Sequence, residues 1–413
     1  MNKTPIKIAT ISTSNKGGGG IAAFRLHQGL NDLAGVMSSF FNQITATDET
    51  AQIIKVEPEN KIGIKKIIGK ANNKISLNEL AVYNNKLSKL TLNCEIASLP
   101  YSSYNIENHP LIKEADIVHL HWVADFVNYP SFFKKIKKPI VWTLHDMNPF
   151  QGLFHYKNDE INNTVASVLD RKVYQDKRKF IHQHSNLHIV CLTDWMFKAS
   201  SNSDILGDYP HYLIPNGLDF SAIKEIDNIQ SLKKKYNIDN NNKTLLCVSQ
   251  NLKNPRKGFD LLQKALNNIS EQCFNIITLG NNSIQLPSNF NHVHINHIDD
   301  LNELNSIYSL ADLFLLPSKE DNLPNVMLEA FANGIPVIAF NTGGMKDWII
   351  SNENGILVDD FSAKEFAKEL IKFAQNTYAF NSVDIKRYAE KHFNVINQRK
   401  KYIHLYQSIL NKL

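Results

Sequence analysis

The chain has 413 residues, 43% of them hydrophobic and 21% charged; this excludes a disordered or fibrous polymer, and the length makes two compact domains the expectation. The net charge of +5 lies wholly in the first 210 residues, with 24 Lys and Arg against 19 Asp and Glu, but the basic residues lack the density and aromatic interleaving of a nucleic-acid surface. Cys94, Cys191, Cys247 and Cys273 form no CxxC pair and no Cys/His zinc spacing, so buried free thiols in a reducing compartment are expected.

The N-terminal MNKTPIKIATIST runs from a short basic start into a strand over 6–11, without the apolar core of a signal peptide. No apolar run approaches the length needed to span a bilayer, so a cytoplasmic location is expected. After that strand, SNKGGGG (14–20) leads into a helix expected to begin near Ile21. A glycine loop between strand and helix lets backbone amides approach a ligand, and a helix N-terminus favours negative charge. Four consecutive glycines are not GxGxxG, however, and no acidic residue stands where a dinucleotide ribose would be held. A second strand is expected over 38–41. The stretch 61–74 (KIGIKKIIGKANNK) mixes lysines with isoleucines at helical spacing. It suits a solvated helix packed by its isoleucines or, alternatively, a basic amphipathic helix making a peripheral contact with anionic lipid at the inner membrane face. Residues 50–110 are otherwise polar and poor in strand signals.

Further strands are expected over 117–121, 140–144 and 189–192. In VHLHW, alternation turns His119 and His121 to one face; without a third ligand they read as structural histidines rather than a metal site. The strand IVWTL runs into His145 and Asp146, at the carboxyl end where open α/β sheets bind ligands. Its loop, 147–156 (MNPFQGLFHY), carries aromatics that either stack on a sugar or plug the domain. The turn PNG and the polar run NIDNNNK lie within 209–243, a linker-like composition that sets a boundary near residue 215. The domains expected are 1–214 and 215–384, with a last helix from 385 that either finishes the second or braces the first.

In the second half, strands are expected over 245–249, 275–279, 292–295, 313–316 and 337–340. Short apolar runs between amphipathic segments predict an α/β chain with two parallel sheets. VSQNLKNPRKG brings Arg256 and Lys257 to the mouth of the second sheet, where a diphosphate would need cations to hold it and to stabilise it on departure. The strongest signal is LFLLPSKEDNLPNVMLEAFANGIPVIAFNTGG, over 313–344. It sets Glu320, Asp321 and Glu329 around the start of a helix near Pro324, where carboxylates accept from sugar and ribose hydroxyls while free amides meet phosphate.

Across nearly its whole length the chain resembles the family 4 retaining glycosyltransferases, whose GT-B fold has two Rossmann-like domains facing a central cleft. The resemblance is carried by GGGGIAAFRLHQGL, DIVHLHW, IVWTLHDMNPFQGLFHY, LIPNGLD, NPRKGFDLL, EDNLPNVMLEAFANGIPVIAFNTGG and NGILV. HDMNPF together with EDNLPN is most similar to the branch that builds bacterial surface polysaccharides. The resemblance implies metal-independent transfer, with retention, from a UDP- or GDP-linked sugar to a glycan or lipid-linked acceptor. The nucleotide-sugar is a substrate, and no cofactor is implied. Glu329 matches the second glutamate of the E-x7-E motif, on the ribose, while Asp321 replaces the first and leaves Asp321 or Glu320 to touch the sugar. Asn322 and Leu323 belong to the same donor-binding segment. Lys257 matches the phosphate lysine; the usual arginine, due near 250–252, is absent, and Arg256 is the candidate substitute. Gly19 and Gly20 fit the loop near the donor phosphates, His145 the histidine beside the transferred sugar, and Gly343 and Gly344 the loop approaching that sugar. Transfer is expected as a front-face displacement in which the leaving diphosphate takes the acceptor proton and domain closure excludes water. A nucleotide-sugar epimerase or hydrolase of the same fold, and a non-catalytic partner subunit, are the alternatives.

Overall fold

Strands buried on both faces read as continuous apolar runs, and the helices that cover them come from the crossovers between parallel neighbours. A computed structural model of the chain describes residues 5–58, 71–224, 226, 228–270 and 274–412, the side chains of 71–77 excepted. The chain divides into two compact units, Met1–Pro215 with Gln398–Leu413, and Asn216–Asn397.

The first unit is built on seven strands: β1 (Ile6–Ile11), β2 (Val36–Asn42), β3 (Ile53–Lys55), β4 (Ile117–Leu120), β5 (Ile140–Leu144), β6 (Leu187–Cys191) and β7 (His211–Leu213). They pair in parallel in the order β3-β2-β1-β4-β5-β6-β7. The second holds β8 (Lys243–Asn251), β9 (Phe274–Asn281), β10 (Asn291–Ile295), β11 (Leu313–Leu316), β12 (Val337–Phe340) and β13 (Gly355–Val358), ordered β10-β9-β8-β11-β12-β13 and again parallel. In each sheet the order reverses beside the first strand. The loops leaving β1 and β4, and those leaving β8 and β11, therefore diverge to opposite sides and open a crevice at the carboxyl ends.

Period-two alternation sorts the first sheet. Val118, Leu120, Ile140, Trp142, Leu144, Ile189 and Cys191 enter one core, while Ile8, Ile117, Val141 and Val190 face the other. That second face is covered from far along the chain. The helix Val395–Leu410 lays Tyr402, Leu405, Tyr406 and Ile409 on it at i, i+3, i+4 and i+7. The single last helix expected from 385 is in fact two, Ser382–Phe393 and Val395–Leu410. Asn394 parts them: its backbone is extended, and its Oδ1 accepts from the Ile396 amide at 2.8 Å, a cap for the second helix.

The helix after β1 corrects a second expectation, since it runs Gly17–Asn31 and takes in the four glycines as its first turn. The turn entering it is fastened by side chains: Ser12 Oγ donates to the Ser14 carbonyl and the Lys16 amide donates to Ser14 Oγ, both at 2.9 Å. β3, β7 and β13, three or four residues each, are additions to the expected strands. Cys191 and Cys247 are buried free thiols and Cys94 a half-buried one; Cys273 and most of the 61–74 stretch lie outside the described residues. Among the described residues no helix is long and apolar enough to cross a membrane.

Candidate active site

In the second unit the loops leaving β8 and β11 flank the crevice, and both are stiffened from within. Asn254 Oδ1 accepts from the Arg256 amide at 3.0 Å and starts the short turn Pro255–Lys257. Gly258 then takes φ +70°, packed so closely that an added Cβ would lie 1.8 Å from the Pro317 carbonyl oxygen. A backbone bond from the Lys319 amide to the Arg256 carbonyl, 2.8 Å, joins the two loops.

This juxtaposition brings Arg256, Lys257, Glu320 and Asp321 together. Lys257 Nζ lies 2.5 Å from Asp321 Oδ2, and Arg256 Nη1 lies 3.3 Å from the same oxygen while donating to the Glu320 carbonyl at 3.0 Å. Asp321 is 7% exposed. Burial alone would raise its pKa, but Lys257 and Arg256, helped by the Asn322 amide, outweigh that and hold it at about 2. The carboxylate is thus ionised at neutral pH. Gly343 and Gly344 close the other side: the Gly344 amide donates to the Asp321 carbonyl at 2.9 Å, and Gly343, at φ +58°, leaves 2.2 Å between an added Cβ and that oxygen. No L side chain fits there.

Asn322 and Leu323 are buried in the same segment, which enters the helix Asn325–Ala332 through Pro324. Glu329 stands on that helix, half-buried, and Tyr308 donates to its Oε2 at 3.0 Å. Tyr308 had no signal in the sequence, because the NSIYSL segment gives no sign that its phenol reaches a carboxylate rather than only the core.

In the first unit His145 lies at the end of β5 beside the start of the Gly17–Asn31 helix. An added Cβ on Gly19 would meet the His145 ring at 3.1 Å and Trp122 Cβ at 3.2 Å, so the bare glycine permits this approach. Gly20 has a packing role: its added Cβ would lie 2.4 Å from the Ser14 carbonyl oxygen, whereas at Gly18 it meets nothing within 4 Å. Gly18→Ala is therefore expected to raise stability by about 0.5–1 kcal/mol through helix propensity. Gly20→Ala should lower it by about 1–3 kcal/mol through overpacking. Urea midpoints of the two variants check the contrast, and equal midpoints would contradict it.

Around His145 lies a buried polar network. His121 Nδ1 pairs with His145 Nε2 at 3.0 Å. Asp146 accepts from Trp122 Nε1 at 2.7 Å and faces His155 Nδ1 at 2.6 Å, and His155 Nε2 meets Ser98 Oγ at 2.8 Å. His121, Trp122, His145, Asp146 and His155 line a small pocket together with Asn148 and Pro149. Lys177, fully buried, donates to the Asn148 and Gly152 carbonyls at 2.7 and 2.6 Å and ties down the loop after β5. The aromatics of that loop, Phe150, Phe154 and Tyr156, are buried, which decides for a plug over a stacking surface. His119 proves structural, with Nε2 on Thr143 Oγ1 and Nδ1 on Tyr406 Oη, both at 2.8 Å. Among the described residues no three His, Cys, Asp or Glu side chains gather as a metal site requires.

Residues 242–376 match the family of glycosyl transferases group 1. They contain Arg256, Lys257, Glu320, Asp321, Glu329, Gly343 and Gly344. An uncharacterized glycosyltransferase of Haemophilus influenzae is 30% identical over 196 residues, 44% of this chain and 50% of that protein. The capsular polysaccharide biosynthesis glycosyltransferase CapM of Staphylococcus aureus is 28% identical over 169 residues, 38% of this chain and 43% of its own length. The chain thus spans about half the length of these curated relatives. Over the whole chain the GT-B fold is shared with HepE of Anabaena, solved in complex with UDP and glucose, at a TM-score of 0.65, 17% identity and coverage of 98% of this chain and 100% of that one.

Proposed function

We propose that this protein is a retaining glycosyltransferase, moving a sugar from a UDP- or GDP-linked donor to a glycan or lipid-linked acceptor in surface polysaccharide synthesis. The observation that carries the reading is the Lys257–Asp321 pair, backed by Arg256, at the crevice of the sheet whose residues match a glycosyltransferase family. A carboxylate held at about 2 stays ionised and orients the Lys257 side chain against it. A nucleoside diphosphate arriving there meets a preset cation and does not have to organise one. Arg256, held against the 320–321 segment, supplies a second positive charge in place of the arginine absent near 250–252. Glu329 takes the ribose hydroxyls, and His145 contacts the transferred sugar.

In the reaction the bond from the anomeric carbon to the donor phosphate oxygen breaks as the acceptor oxygen bonds to the same face. The acceptor proton passes to the departing phosphate, whose charge Lys257 and Arg256 stabilise. CapM, in capsular polysaccharide biosynthesis, and HepE, in complex with UDP and glucose, favour this substrate class.

The test is thermal stability in the presence of UDP-, GDP- and ADP-sugars, followed by transfer assays with the donor that binds. One nucleotide-sugar should raise the melting temperature by mass action. Glu329→Ala should weaken that shift at least tenfold in donor concentration. A chain shifted by none of them would not be a transferase, and donor hydrolysis at the same rate without acceptor would make it a hydrolase.

A further inference from the structure

The loop leaving β4 is pinned to the loops that leave β1 and β2. The Thr13 amide donates to the Trp122 carbonyl and Thr13 Oγ1 to the Ala124 carbonyl, both at 2.8 Å, and Gln43 Nε2 donates to the Asp125 carbonyl at 3.0 Å. Phe126 and Val127, buried in the core, hold the far side of the turn. So fastened, Asp125 sits at φ +57°. This left-handed conformation carries a steric cost and persists where the surroundings over-determine it, as they do at ligand-binding turns. Of the six described residues other than glycine with a positive φ, four are asparagine, and Asp125 alone carries a charge. Asparagine or glycine would serve the backbone at least as well, so the turn does not account for a carboxylate.

The position of that carboxylate does. It is exposed to solvent yet crowded by its neighbours, and burial raises its pKa against the opposing pull of the Leu99 amide and of His155 and Lys177. Oδ1 accepts from the Leu99 amide at 3.3 Å, which sets the plane of the group, and no described group donates to Oδ2. Ser98, the residue before Leu99, meets His155, which lines the pocket shared with His145 and Asp146. Asp125 therefore stands beside that pocket, at the carboxyl end of the first sheet. A negative group there would repel a diphosphate, whose cations lie in the second unit. It suits hydroxyls instead, since O–H···O⁻ bonds are short and stronger than neutral ones.

We infer that Asp125 contacts the acceptor, its carboxylate accepting from neighbouring hydroxyls of an uncharged sugar and turning away a uronate at that place. The assignment to the acceptor rests on the reading of the chain as a sugar transferase.

The experiment takes the full chain as wild type, Asp125→Asn and Asp125→Gly, both of which keep the left-handed turn. Saturation-transfer difference NMR is recorded with the methyl glycosides of glucose, galactose, mannose, N-acetylglucosamine and glucuronic acid, and melting temperature with the UDP- and GDP-sugars. Wild type should bind a neutral glycoside in preference to the glucuronide. Both variants should weaken the neutral glycoside on the order of tenfold to a hundredfold, the worth of hydrogen bonds to a charged group, while the nucleotide-sugar shift keeps its wild-type size. Asp125→Asn should also narrow the preference over the glucuronide, which a merely structural role would not do. Unchanged glycoside affinity in the variants, a wild type that binds the glucuronide at least as well or binds none of the glycosides, or a nucleotide-sugar shift lost with the carboxylate each overturns the inference. Should a variant fail to fold, the wild-type preference alone decides. Glycoside binding is read without turnover, so its failure is distinct from that of the transferase reading, which shows as a wild type stabilised by no nucleotide-sugar.

Discussion

Replacing Lys257 by alanine is expected to lower sugar transfer by about two to three orders of magnitude, the cost of removing one preorganised charge from a developing anion. The loss should fall on kcat as well as on donor affinity, because the leaving diphosphate carries more charge on that oxygen in the transition state than in the ground state. Stability moves too, by a smaller amount. Asp321 would lose its 2.5 Å partner but keep Arg256 at 3.3 Å and the Asn322 amide at 3.1 Å. Removing the only partner of a buried ion costs about 3–5 kcal/mol, so with one cation retained about 1–2 kcal/mol is expected. The two effects separate in the double variant Lys257→Met with Asp321→Asn. It leaves no stranded carboxylate and should regain most of the urea midpoint while transfer stays low. Wild-type transfer in folded Lys257→Ala, or recovery of transfer in the double variant, would reduce the pair to a structural clamp.

The central strands were legible because burial on both faces leaves a continuous apolar run: IVWTL, LFLL and VIAF coincide with β5, β11 and β12 residue for residue. β3, β7 and β13 were not, since three or four residues at or near a sheet edge carry too little pattern. The helix start at Gly17 ran against the poorest intrinsic helix former other than proline, and what overrides propensity there is the close approach of Gly19 to His145 and of Gly20 to Ser14. Asn394 looked like one more polar residue in an amphipathic stretch, because its capping role depends on a neighbour's amide. At the site, PRKG and EDNLPN announced a basic and an acidic loop. That Lys257 and Arg256 would both close on Asp321 follows from the β8/β11 reversal, which no local pattern contains. Tyr406 on His119 and Tyr308 on Glu329 were illegible for a related reason: a tyrosine at a helical spacing reads as core whether or not its hydroxyl finds a partner.

Acidification from pH 6.5 to 4.5 is expected to destabilise the first unit selectively. Burial is the leading cause that lowers the pKa of eight of its histidines, His27, His109, His119, His121, His145, His184, His188 and His211, with His119 at about 3 and His145 and His188 at about 4. In the second unit His292 is lowered in the same way. A depressed histidine refuses in the folded state a proton that the unfolded chain accepts. Its contribution is therefore complete above pH 6.5 and is lost as pH falls towards the folded value. At about 1.4 kcal/mol per pH unit, and with the unfolded histidine half protonated at the start, His119 alone removes about 2 kcal/mol across this window, a large part of a typical total of about 5–15 kcal/mol. Asp125 and Asp170, raised by burial, act in the opposite direction, and Asp321, lowered to about 2, loses its contribution only below pH 3.8. Lys177, lowered by burial to about 7, acts above that pH. The fall between pH 6.5 and 4.5 thus belongs to the buried histidines. Urea midpoints should drop steadily over it, and hydrogen exchange should rise first in peptides of β4, β5 and β6 while those of β11 and β12 stay protected. A flat midpoint, or earlier exchange in the second unit, would mean that these histidines are already protonated in the folded protein.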